Sequence, residues 1–352
     1  MDVNRLELLR KLVEVGGPSG YEQAVQAIYA DDARSHGADV RTDVIGNVIA
    51  TLNPGAPVSV MLAGHADEIG FLVRYIDDDG FLYFGAVGGW DAEIAVGQHV
   101  TVHTANGPVP GVIGKRAIHL MSVEDRAKKS QLHDFWIDLG VTSRDEAASA
   151  VEIGDPVTMR RSMELLLGDR ATAKSFDDRM AVWVCAEVVR LLAHQELSAT
   201  LHSVSTVQEE IGLRGAQTAA YGTGSQVGLA IDVCHATDYP DGDKRRVGDI
   251  RIGRGPVVSR GANINPRVFE LLVKVAREER IPIQIEAAPA GTGTDANVMQ
   301  ISRAGMATGL VSVPLRYMHT PCELLSLTDL ENAARLCAAF VARISEDLTW
   351  IP

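Results

Sequence analysis

Cysteine is scarce in this chain of 352 residues: Cys185, Cys234, Cys322 and Cys337 are the only four, and no two stand in C-x-x-C spacing. That spacing excludes a thiolate zinc cluster and a disulfide framework, and makes a reducing cytoplasm the expected compartment. Positive charge is also short. Thirty-three Lys and Arg against 46 Asp and Glu leave a formal charge of −13, without the basic face that a nucleic-acid binder needs. Long apolar runs are missing too: nothing approaches the roughly 18 uninterrupted apolar residues of a membrane span. The opening Met1-Asp-Val-Asn-Arg-Leu-Glu-Leu-Leu-Arg-Lys has no apolar h-region and reads as an amphipathic helix rather than a signal peptide. The remaining composition, 46% hydrophobic and 22% charged, is that of an ordinary globular protein and excludes a disordered, collagenous or coiled-coil chain.

Apolar spacing then divides the chain. Leu6, Leu9, Leu12 and Val13 recur at helical spacing until Gly16-Gly-Pro-Ser-Gly20 stops them. Val58-Ser-Val-Met-Leu-Ala63 is nearly continuous and apolar, as in a buried central strand, and it runs straight into Gly64-His65-Ala66-Asp67. From about Gly70 the texture changes to short β-rich runs, Phe71–Ile76, Phe81–Val87, His99–Thr104 and Val109–Ile113, separated by Asp- and Gly-rich turns. After about residue 165, helical and strand-like patterns alternate again, among them a helix expected over Asp295–Arg303 and strands over Thr200–Val207, Val227–Asp232, Ile283–Ala287 and Ala307–Val313. Such alternation predicts βαβ units and a mainly parallel sheet. The expected fold is therefore an α/β domain, residues 1–69 plus 166–352, with a β-rich domain, residues 70–165, inserted into it.

Five segments place metal-competent side chains at or beyond strand ends, where ligands of open α/β sheets collect. They are Gly64-His-Ala-Asp-Glu68, Ser175-Phe-Asp-Asp-Arg179, Val207-Gln-Glu-Glu-Ile-Gly212, Ala230-Ile-Asp-Val233 and Arg316-Tyr-Met-His-Thr-Pro321. Together they supply His65, Asp177, Glu210, Asp232 and His319. Imidazole with carboxylate and no thiolate suits zinc, cobalt or manganese in a catalytic role. One bridging carboxylate would make the site dinuclear. Each residue also has a plainer reading: a surface or core histidine, a helix N-cap for Asp177-Asp178, a solvated acidic pair for Glu209-Glu210. Asp67, two residues after His65, shares its side of an extended chain and so can hold the imidazole's other nitrogen. Adjacent carboxylates diverge, so one of Glu209 and Glu210 can ligate while the other acts as general base.

These motifs, together with Gly291-Thr-Gly-Thr-Asp-Ala296, Ile137-Asp-Leu-Gly-Val-Thr-Ser143 and Gly154-Asp-Pro-Val-Thr158, resemble metallopeptidase family forty-two, the glutamyl and tetrahedral aminopeptidases. The resemblance spans nearly the whole chain. It implies a metal-dependent aminopeptidase acting on peptides, with one ion on His65, Asp177 and Asp232 and a second on Asp177, Glu210 and His319. It also implies Glu209 as general base, Asp67 as partner of the first histidine, and a cis Asp177–Asp178 peptide. The inserted domain matches the family's dimerisation domain, which implies a homo-oligomer, a dimer assembling to a tetrahedral dodecamer.

Other readings fit less well. Gly291-x-Gly-x-x-Ala296 superficially fits a dinucleotide fingerprint, but the acidic residue expected ~20 positions on is missing. A glycosidase needs carboxyls roughly 5–9.5 Å apart on opposite sides of the scissile bond, which adjacent Glu209 and Glu210 do not provide. A related metal-dependent amidase or deacylase would share the metal site, and a non-catalytic oligomeric scaffold would have no reason to keep it complete.

Overall fold

A computed structural model describes all residues 1–352. Its centre is an eight-stranded sheet in the order 39–42, 48–52, 199–206, 58–65, 227–235, 307–315, 257–261, 284–288. The four central strands, Ala199–Thr206, Val58–His65, Val227–His235 and Ala307–Leu315, are mutually parallel. They are buried along nearly their whole length, because helices cover both faces of the sheet and leave no side for water. One face carries a core of 55 buried residues, built around the helix Phe176–Leu192 and the helix Leu327–Ala342; the other carries a smaller core of 13.

Close packing beneath the central strand locates the site. A Cβ placed on Gly64 would lie 2.6 Å from the Ala181 side chain, so only glycine lets the helix Phe176–Leu192 approach the strand that ends at His65. The start of that helix is thereby brought to the carboxyl end of the sheet.

Among the elements that depart from the sequence expectation, two border the carboxyl edge of the sheet. Val257–Gly261 is a strand that was not anticipated; it pairs antiparallel with Ala307–Leu315 and parallel with Gln284–Ala288. It is a five-residue run set between Gly255-Pro256 and Gly261, too short for periodicity to separate it from a loop. The helix expected over Asp295–Arg303 is confined to Ala296–Met299. The chain turns at Arg303, which adopts a left-handed φ of 53°.

Residues 70–159 hold a closed barrel of six strands, 70–76, 82–87, 136–138, 107–114, 99–104 and 156–159. Its own core of 15 buried residues includes Phe71, Phe84, Phe135 and Ile137. Closure removes the exposed sheet edges that short antiparallel strands would otherwise leave. No helix is long and apolar enough to cross a membrane.

Candidate metal centre and active site

Five chain segments meet at the carboxyl edge of the sheet. His65 ends its strand and Asp232 lies near the end of the neighbouring one. Asp177 lies at the start of the helix beneath, where the Asp177–Asp178 peptide is cis. Glu209 and Glu210 follow the strand Ala199–Thr206, and His319 comes from the loop after Ala307–Leu315. The non-glycine residues Ser175, Gln208, Tyr317 and His319 all have φ between 57° and 61°. Left-handed backbone at such residues is held only where the surroundings over-determine it, and here it concentrates around one cluster.

Asp177 sits between the two imidazoles. Its Oδ1 is 3.3 Å from His65 Nε2 and its Oδ2 is 3.3 Å from His319 Nε2. His319 Nε2 is also 3.3 Å from Glu210 Oε1. On the far side of each ring, Nδ1 faces a backbone carbonyl: that of Asp67 at 3.1 Å for His65, and that of Gly89, from the barrel, at 3.0 Å for His319. A carbonyl can only accept, so both Nδ1 atoms carry a proton, and Nε2 is the atom of each ring that faces Asp177. One set of ligand atoms, from His65, Asp177 and Glu210, lies within 4.8 Å of one another, and so does a second set from His65, Asp178 and Asp232. All five ligands anticipated from the sequence are thus in one cluster.

The electrostatics show what the cluster lacks. Burial alone would raise Asp177, but His319 and His65 win and hold it well below the carboxylate range. Burial depresses both histidines; the surrounding carboxylates, Glu209 foremost for His65 and Asp177 for His319, push them up instead, His319 to about 11. Burial raises Glu209 to about 9, and it raises Asp178, Asp232, Glu210 and Glu323 as well, with neighbouring carboxylates adding to the push. So many acids cannot ionise together without added positive charge. Bound cations would replace the protons on the two Nε2 atoms, and 3.3 Å ligand separations match the roughly 3.4 Å edge of a tetrahedron with ~2.1 Å metal–ligand bonds. Oxygen and imidazole donors suit zinc, cobalt or manganese. The residues present fit divalent cations.

Around the cluster stand groups that hold it in place. The Asp67 carboxylate is 3.4 Å from His65 Nδ1, but its shorter contacts lie elsewhere. It accepts from Ser19 Oγ at 2.7 Å and from the backbone N–H groups of Glu209 at 3.0 Å and Glu210 at 3.1 Å. Glu323, which sequence reasoning missed, accepts from the backbone N–H of Asp177 through one oxygen and of His319 through the other, each at 3.0 Å. Asp178, also missed as a site residue, accepts from the His65 backbone N–H at 3.2 Å. Beneath them the buried Glu68 carboxylate takes Lys174 Nζ at 2.8 Å, Arg179 Nη2 at 2.9 Å and the Gly17 N–H at 3.1 Å. The signal for Glu68 and Arg179 lay in the same motifs as the ligands; for Glu323, an acid four residues after His319 was the only one.

The cluster opens into a cavity of about 570 Å³, walled by the strand ends and by the 287–294 loop. Glu209 lines it with its carboxylate 3.8 Å from His65 Nε2.

Known proteins resemble this chain in sequence and in fold. Residues 46–336 match the profile described as M42 glutamyl aminopeptidase. The chain is 37% identical over 341 residues to the lysyl aminopeptidase of Pyrococcus furiosus, covering 96% of this chain and 97% of that one. The TET aminopeptidase of a marine-sediment Thaumarchaeota archaeon superposes with a TM-score of 0.94 at 34% identity, over 98% of both chains. The TET1 peptidase of Pyrococcus horikoshii, described as assembling into a tetrahedron or a large octahedral shell, superposes with a TM-score of 0.87 at 32% identity, over 97% of this chain and 100% of that one. On this match the chain belongs to the M42 glutamyl aminopeptidase family of peptide hydrolases.

Proposed function

We propose that the protein is a metal-dependent aminopeptidase that removes N-terminal residues from peptides at a two-ion site. His65, Asp177 and Asp232 would hold one ion and Asp177, Glu210 and His319 the other, with Asp177 shared. The observation that carries this reading is the split of the Asp177 carboxylate, one oxygen toward each imidazole. When bound, the two cations supply Lewis-acid stabilisation of negative charge developing at the scissile carbonyl.

Glu209 is the general base. Its backbone is tied to Asp67, which leaves the carboxylate free at the cavity wall. A Glu209 carboxylate oxygen takes a proton from the attacking water and returns it to the nitrogen of the leaving peptide. Positive charge in the site favours the ionised Glu209 that this role needs, against the burial that otherwise keeps it protonated. A free α-amine could occupy a position at the cations, which favours release of the first residue of a peptide. The inserted domain, residues 70–165, which holds the barrel, would serve as the surface through which copies of the chain form a homo-oligomer.

Glu209→Gln tests the assignment: it should retain about two metal equivalents per chain while kcat falls by roughly 10²–10⁴-fold. Full activity in this variant would place the base elsewhere.

A further inference from the structure

A second cavity, apart from the metal centre, adjoins the segment that carries Glu209. Its volume is about 340 Å³. One wall is the helix Gln23–Ser35, whose Gln23, Gln26, Ala27, Ala30, Asp31 and Arg34 recur at helical spacing and so share a face. The other wall is the turn that follows the strand Asp39–Thr42, with Ile45 and Val48. Val207, two residues before Glu209, also lines it.

The two most buried polar side chains of this cavity, Glu22 and Gln26, are 2% and 6% exposed and lie one helical turn apart. Both are left as acceptors. Glu22 Oε1 accepts from the backbone N–H of Gly20 at 2.7 Å and of Gln208 at 3.1 Å, while its Oε2 makes no hydrogen bond. Gln26 spends its Nε2 on the carbonyls of Gly46 at 3.1 Å and Ser205 at 2.9 Å, which fixes the orientation of the amide. Its Oε1 is buried without a partner. No cation compensates the acid: burial raises the Glu22 carboxyl to about 7. Arg34, the cation in the lining, pairs with Asp31 at 3.1 Å and stands about 18 Å along the helix from Glu22. A buried acid beside an orphan carbonyl oxygen calls for a positively charged donor. The apolar lining of Ala27, Ala30, Ile45 and Val48 suits an alkyl chain better than a bare ion.

Glu22 also touches both supports of the proposed general base. Gln208, which it holds directly, adopts a left-handed φ of 57° immediately before Glu209. Gly20 follows Ser19, whose hydroxyl donates at 2.7 Å to Asp67, the acid that accepts from the Glu209 N–H.

We propose that this groove is an effector site for a linear aliphatic diamine or polyamine, and that filling it activates the enzyme. One ammonium donates to Glu22 Oε2 and Gln26 Oε1. The methylenes lie along Ala27 and Ala30, and a second ammonium faces Asp31, roughly 13 Å along the helix from Glu22. The bound cation keeps Glu22 ionised, and a carboxylate holds the Gln208 N–H more firmly than the neutral acid does. The Glu209 segment is steadied in turn. Binding at the groove stands independently of the aminopeptidase reading; the activation rests on it.

The test is calorimetric titration of the metal-loaded full chain with spermidine, beside kinetics on an unblocked peptide. Spermidine should bind once per chain and raise kcat by about fivefold, without competing with the peptide. Fully acetylated spermidine, which has the length but no charge, should not bind. Glu22→Gln should weaken spermidine binding by about tenfold or more. Ala27→Leu, a change at an exposed helical position in the groove, should block it sterically. Absence of binding, or binding unchanged in both variants, overturns the site. Competitive inhibition by spermidine overturns it in favour of the metal centre, and binding without a change in kcat overturns the activation. If no unblocked peptide is cleaved, the aminopeptidase reading and the activation fall together, while the titration still decides whether the groove takes the amine.

Discussion

The carboxylate of Asp67 accepts a hydrogen bond from the backbone N–H of Glu209 at 3.0 Å. A side chain two residues after His65 therefore fixes the backbone of the proposed general base, and a second bond at 3.1 Å does the same for Glu210. The two ends of adjacent parallel strands, at His65 and Thr206, are tied together by this one acid.

Asp67→Asn keeps the size of the side chain but offers one accepting oxygen and points an N–H₂ at the other donor. The Glu209–Glu210 loop should loosen. The expected result is a kcat loss of about tenfold to a hundredfold with metal still bound. Steady-state kinetics beside metal analysis would check it, and unchanged kcat would show that the loop does not depend on Asp67.

Glu323 makes the corresponding contact on the other side, holding the backbone of Asp177 and His319 together. Glu323→Gln should weaken ion binding by about tenfold to a hundredfold, since two ligand-bearing segments lose their common anchor. Calorimetric titration of stripped protein reads this directly. The loss should fall on the ion shared by Asp177 and His319.

Glu22 supplies a pH dependence away from the ligands. Burial raises its carboxyl to about 7, opposed by the Gly20 N–H and reinforced by Asp67. The native state therefore holds this proton up to about pH 7, whereas the unfolded chain releases it near 4.5. Between those values the native state binds more protons, so this group lowers stability as pH rises, by about 3 kcal/mol once above 7. Glu22→Gln retains an acceptor for the N–H groups of Gly20 and Gln208 and removes the ionisation. Its urea midpoint relative to wild type should rise between pH 5 and pH 8; a constant difference would show that Glu22 titrates normally.

What the sequence showed and what it withheld have physical causes. His65, Asp177, Glu210, Asp232 and His319 were legible because each sits at the end of a strong apolar run or in a compact motif. Glu323 was not, because its partners are backbone N–H groups of Asp177 and His319, and backbone groups leave no residue-type signature. The strand Val257–Gly261 hid for another reason: it is a five-residue run with buried Val257, Val258 and Ser259 beside Gly255-Pro256, too short for a period to show. That strand and its neighbour Gln284–Ala288 carry Ser259 and Glu286, which line the cavity and which only strand register aligns with Asp232. The contribution of Gly89 to His319 likewise depends on the barrel folding back against the sheet.

The central claim is that this site removes N-terminal residues using bound divalent ions. Its most direct test is release of free amino acid from matched unblocked and N-acetylated peptides, by chelator-stripped protein and again after Zn²⁺ or Co²⁺ is restored. The account predicts no release without metal, and after restoration release confined to the unblocked peptides. Cleavage of the acetylated peptides, or equal activity in stripped protein, would contradict it.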